Sequence, residues 1–148
     1  MSGHEDLHAR IVSREEFAEA VLIPAMHILA IDCAVSDAEV TQLKNLCEMS
    51  PIYAGMKAEE RDRVIARVTE GMAADPAAQI QQVVRVLPVD LRETAYAFAA
   101  RVAAADGSVA ESEMTLLSDL AGQLGLAPDR VNHIFEVVEI LQRPLPHD

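Results

Sequence analysis

This sequence predicts an all-α fold, a single bundle of about seven helices with an internal two-fold repeat of helix–turn–helix units. Three observations carry the prediction. The apolar content is 51%, and much of it is alanine, the strongest helix former. Aromatic residues make up only 3%, Trp is absent, and no long β-branched alternating run appears. Apolar residues instead recur at helical spacing between cap and stop signals. A chain of 148 residues is long enough for one domain with a real core. Residues 13–141 are expected to form it, with a mobile polar tail at 1–12 and a loose tail at 142–148.

The helices follow in order from local signals. Ser13, followed three residues later by Glu16, has capping-box spacing and starts the first helix, "REEFAEAVLIPAMHILAID". Pro24 is expected to kink it by removing one hydrogen bond. The second helix is "DAEVTQLKNLCEM", with Ser36 and Glu39 at the same capping spacing and Val40, Leu43, Leu46 and Cys47 on one face. "SPIYAG" reads as a loop. The third helix, "AEERDRVIARVTEGMA", carries Val64, Ile65, Val68 and Met72 at core spacing. Asp75 and Pro76 end it and begin the fourth, "PAAQIQQVVRVL", where Pro suits the first helical position. The fifth runs from near Pro88 to about Ala105 and stops at Gly107. The sixth spans roughly 110–124 and ends at Gly125. The seventh starts at Pro128 and turns Val131, Ile134, Phe135 and Val138 inward.

Charge and cysteine usage narrow the function classes. The formal net charge is −12. Residues 1–50 and 104–148 each carry a net of −6, while residues 51–103 balance seven acids against seven bases. Such a surface repels nucleic-acid phosphates and anionic lipid heads and favours cations or basic protein partners. No nucleic acid is expected as a partner, and a protein partner is. The longest apolar stretch, "AVLIPAMHILAI", falls short of the roughly 20 residues that span a bilayer, so no direct membrane insertion is expected. Cys33 and Cys47 are too few for a disulfide scaffold and are expected to stay reduced. With no signal-peptide pattern at "MSGHEDLHAR", the expected location is cytoplasmic. No nucleophile elbow, phosphate-cradling Gly loop or metalloprotease helix is present, so an enzyme is not expected.

A repeat emerges at an offset of 74 residues, which lays "AMHILAIDCAVSDAEVTQLKNL" over "AARVAAADGSVAESEMTLLSDL". Asp32 meets Asp106, Asp37 meets Glu111 and Glu39 meets Glu113. Any amphipathic pair would align leucines, so the aligned acids carry the weight. After a four-residue insertion in the first copy, Val64, Ile65 and Val68 meet Ile134, Phe135 and Val138.

The segment "AAADGSVAESEMTLLSDLAGQLGL", with its Ala-rich helix, Asp-Gly turn, acidic helix start and Leu-rich helix, resembles the tellurite-resistance TerB family. The first copy, "AIDCAVSDAEVTQL", matches without the Gly, having Cys33 in its place. The resemblance covers about residues 15–140. It implies a helical, internally repeated bacterial domain of tellurite or metal-stress resistance. It also implies acidic positions that bind metal. By motif these are Asp106 and Glu113, and by the repeat Asp32 and Glu39, with Asp37 and Glu111 secondary.

The residues themselves limit such a site. Calcium loops of the EF-hand type place oxygens at positions 1, 3, 5, 7, 9 and 12 around a Gly at 6. With Gly107 at position 6, positions 1 and 3 fall on Val102 and Ala104. Carboxylates suit hard cations, so Ca²⁺ or Mg²⁺ is the expected ion, held weakly. Ala110 cannot cap the sixth helix, and Ser108 with Glu111 offers another capping pair. That would leave Glu113 freer to hold a ligand. The competing reading is an acidic protein-interaction module with no metal site.

Overall fold

The computed structural model describes residues 13–31, 37–105, 107 and 109–146, and contains no strand among them. The helices are α1 (Arg14–Ala30), α2 (Asp37–Met49), α3 (Ala58–Ala74), α4 (Pro76–Val86), α5 (Val89–Ala103), α6 (Glu111–Gln123) and α7 (Pro128–Leu141). A short 3₁₀ turn, Pro51–Tyr53, stands where a loop was expected. The expected N-terminal tail, Asp32, Cys33, Ser36, Asp106, Ser108 and the last two residues lie outside the described residues.

Local chemistry explains the helix ends. Ser13 Oγ accepts the Glu16 N–H at 3.1 Å, and Glu16 Oε1 accepts the Ser13 N–H at 3.4 Å, completing the expected capping box. Asp75 closes α3 and opens α4, its Oδ1 accepting the Ala78 N–H at 3.1 Å. Gly107 follows α5 with φ +92°, in the left-handed region that glycine tolerates. At the end of α6, Gly125 has φ +68°. There the Gly125 N–H reaches Gly122 O at 3.2 Å and the Leu126 N–H reaches Ala121 O at 3.1 Å, a Schellman closure. Leu126 is buried beneath it.

Two central helices organise the core. α1 is one unbroken α-helix across Pro24, and every residue from Ala18 to Ala25 is buried. A helix that is apolar on nearly all sides belongs inside a bundle. Its main neighbour is α5, where Ala95, Ala99 and Ala103 are buried and keep the packed surface low. α3 and α4 pack on α1, α2 and α7 pack on α5, and α6 touches both central helices. Ile65 departs from the core expectation. Val64 and Val68 are buried, but Ile65 is 37% exposed. One turn of α3 has room for a single inward stripe, and Ile65 sits at its edge.

Several polar groups inside the bundle are paired. Tyr53 donates its hydroxyl to Ala18 O at 2.8 Å, and Tyr96 donates to Leu117 O at 3.0 Å. Burial pushes the Tyr96 hydroxyl up to about 12. Gln79 on α4 donates Nε2 to Val68 O at 2.7 Å, while its Oε1 lies 2.8 Å from His27 Nε2. Gly71 on α3 leaves the space this amide occupies. Arg92 gathers carbonyls at two helix ends: Val84 and Leu87 behind α4, at 3.0 and 2.8 Å, and Leu124 behind α6, at 3.3 Å.

Ion pairs tie outer helices to the centre. Arg63 and Arg67 of α3 reach Glu15 at 2.8 and 3.1 Å, and Arg67 reaches Glu19 at 3.6 Å. Arg130 at the start of α7 grips both oxygens of Glu93 on α5, at 2.7 and 2.9 Å.

Candidate functional site

Both inter-helix turns lead into a helix whose third residue is glutamate. Glu39 in α2 and Glu113 in α6 are 8% and 7% exposed, unusual for carboxylates. Asp37 and Glu111, the first residues of the same helices, are exposed. The turns therefore sort their acids into an inner and an outer pair. An inner carboxylate at a helix start sits at the positive end of the helix dipole.

Glu113 is not freed by the lack of a capping side chain at Ala110. Its Oε1 accepts the Ala110 N–H at 3.2 Å, so it performs half of a capping box although Ala110 returns nothing. This half needs only the backbone of residue 110, so the alanine side chain there does not prevent it. Glu39 also has a partner.

Asp32 and Asp106 lie outside the described residues, so their distances to Glu39 and Glu113 are not part of the described geometry. Among the described residues, no three His, Cys, Asp or Glu side chains gather in a way that could hold a metal. The donors present are oxygens, the type that suits Ca²⁺ or Mg²⁺, but the start of each helix brings one buried carboxylate. Full Ca²⁺ coordination takes six to eight oxygens. Cys47 is a buried free thiol, and burial pushes it up to about 11, so it is neither a ready nucleophile nor a thiolate ligand.

Two open grooves were not foreseen from the sequence. One, of about 400 Å³, lies between α1, α2 and α3, with Leu22, Met26, Leu43 and Ile65 on its walls. Here Ile65 finds its place. The other, of about 720 Å³, lies between α2, α5 and α7. Its lining includes Leu46, Met49, Phe98, Ile134, Val137 and Arg101. The one signal for it in the sequence is the run "VVEIL" on α7, which is too apolar for an entirely solvated face.

Among the described residues the chain is an all-helical domain with a buried glutamate near the start of α2 and of α6. Residues 18–139 match the family model described as "Tellurite resistance protein TerB", and the chain belongs to that family. No curated protein and no solved structure matches the chain. No helix among the described residues is long and apolar enough to cross a membrane.

Proposed function

We propose that this TerB-family domain acts without catalysis in tellurite or metal-stress resistance, and that its acidic turns hold a divalent cation weakly. Asp106 and Glu113 form the primary pair, and Asp32 and Glu39 the corresponding pair of the first turn. Asp37 and Glu111 stand on the exposed side as secondary donors. The observation that supports this reading is the matched burial of Glu39 and Glu113. Exposed acids need no explanation in so acidic a protein, whereas two inward carboxylates at the same helix position do. With few protein donors per turn, the affinity for Ca²⁺ is on the order of 10⁻⁴ to 10⁻³ M, as in low-affinity modules.

The second reading, an acidic module that docks a protein partner, is favoured by the bond from the Ala110 N–H to Glu113. That bond gives the carboxylate a structural task with no ion. A Ca²⁺ and Mg²⁺ titration of chelator-treated protein separates the two. Cation binding to the folded state alone raises stability by about 2.7 kcal/mol at one hundred times the dissociation constant. The Asp106→Asn, Glu113→Gln double variant should lose that gain and keep its helical content. Equal stabilisation of both proteins would make the turn a corner and leave the docking module in the lead.

A further inference from the structure

We propose that α7 is a strap that lifts off α5 as a unit while the other helices stay folded, baring the face of α5 that it covers. Of the fourteen residues of α7, Val138 alone is buried, the fewest of any α-helix among the described residues. By comparison, α6 buries Glu113, Leu117 and Leu120, and α4 buries Gln79, Ile80 and Val83. Val137, Ile140 and Leu141 of α7 are all more than half exposed. A helix in a bundle is held mainly by the apolar face it buries, and less by its own hydrogen bonds. Local openings start where buried apolar contacts are few.

The packing beneath α7 is thin as well. Its main neighbour is α5, and on the side of α2 it borders an open groove of about 720 Å³. Val138 joins Ala100 and Ala104 of α5 in a small cluster apart from the main core. Val131, Ile134 and Phe135 reach the main core only as partly buried residues. Phe135 meets Tyr96 edge to face, with ring centres 6.1 Å apart. One polar contact pins each end: Arg130 pairs with Glu93, and Gln142 Nε2 donates to Ala104 O. The Arg130 side chain is more than half exposed, and exposed ion pairs stabilise little. The chain just before α7 is fixed, because Leu126 is buried and Arg92 binds Leu124 O at 3.3 Å. Ala127 gives the first turn of α7 no side-chain cap, so the pivot falls at Ala127 and Pro128. Lifting α7 there bares Ala100 and Ala104. It also takes from the α5–α6 turn both Gln142 and the side chains on which Val109 packs.

The test is native-state amide hydrogen exchange of the full-length protein in urea below its unfolding transition. Amides of residues 134–141 should exchange as one group, at least about tenfold faster than those at the centre of α1. Their dependence on urea should be shared and shallower than that of α1, because lifting one helix exposes less surface than unfolding the bundle. Val64→Ala separates the two openings. Val64 is buried in α3 and keeps its packing when α7 lifts. The variant should speed exchange in α1 about tenfold and leave α7 unaltered. Ile80→Val, a smaller loss in α4, serves in its place if Val64→Ala does not fold. Alkylation of Ala100→Cys by iodoacetamide reads the bared face directly, and should likewise ignore the α3 or α4 substitution. Equal acceleration of α7 and α1 would overturn the proposal, because α7 would then leave only with the whole bundle. Scattered α7 rates without a common urea dependence would overturn it too, as fraying, and so would alkylation that follows global unfolding.

Discussion

At Gly71 a single hydrogen atom decides whether a buried amide fits. A methyl group there would lie 2.6 Å from Gln79 Nε2, an atom held by its bond to Val68 O on a side chain also bonded to His27. Gly→Ala inside a helix ordinarily stabilises by about 1 kcal/mol. Here Gln79 must move, and buried donors and acceptors left unpaired cost about 1–3 kcal/mol each. Gly71→Ala is therefore expected to destabilise by about 1–2 kcal/mol, a sign that urea denaturation reads directly. Carboxylates give the second residue-scale prediction. Arg63 holds the Glu15 carboxyl below its usual range, so that contribution is present at neutral pH and is lost as pH falls through the folded value. Glu19 behaves oppositely, because burial raises it more than Arg67 lowers it. Between its unfolded and raised folded values the folded state holds more protons, so stability from this group falls as pH rises. Glu19→Gln should thus be more stable than the parent at pH 7, with the advantage shrinking as pH falls into the carboxylate range. Denaturation midpoints at several pH values check it, and an advantage that grows on acidification would contradict the assignment.

Helix ends show how far the sequence could be read at the scale of elements. The start of α4 and the end of α6 were legible because their chemistry is local: Asp75 with Pro76, and Gly125 with Leu126, each act within one turn. The inner and outer faces of α3 were less legible. Ile65 has the same spacing as its buried neighbours, and only the placing of α2 and α3 around a groove exposes it. Arg92 was not legible at all. In sequence it is an ordinary base in the first turn of α5, yet its three carbonyl partners lie 5, 8 and 32 residues away. The candidate site was read to a similar depth. The repeat picked out Glu39 and Glu113, which are buried alike, but not the backbone bond that occupies Glu113. Arg92 joins the ends of α4 and α6, where a cation also meets favourable helix dipoles. Hydrogen bonds to charged groups contribute about 1.5–3 kcal/mol each, less when shared. Arg92→Met is expected to cost about 2–3 kcal/mol in thermal or chemical unfolding, with helical content kept at low temperature. A cost below about 0.5 kcal/mol, typical of surface changes, would mean that water replaces the guanidinium without loss.

Across the whole molecule, helices from the two halves of the chain cover one another. α1 faces α5, α3 lies on α1 as α7 lies on α5, and α2 reaches across to α5 as α6 reaches across to α1. Neither central helix is covered by its own half alone. Synthesis proceeds in one direction, so α1 emerges from the ribosome well before the segment that covers it. More than seventy residues separate Leu22 from Tyr96, each fully buried in the finished bundle. Throughout that interval, the most apolar helix among the described residues has only α2 to α4 to shield it. The same interval explains why the chain should resist division. Residues 13–75 made alone should give a collapsed amide spectrum, and residues 76–146 likewise. Dispersed signals should appear only when the two pieces are mixed, because each brings the helix that the other was waiting for.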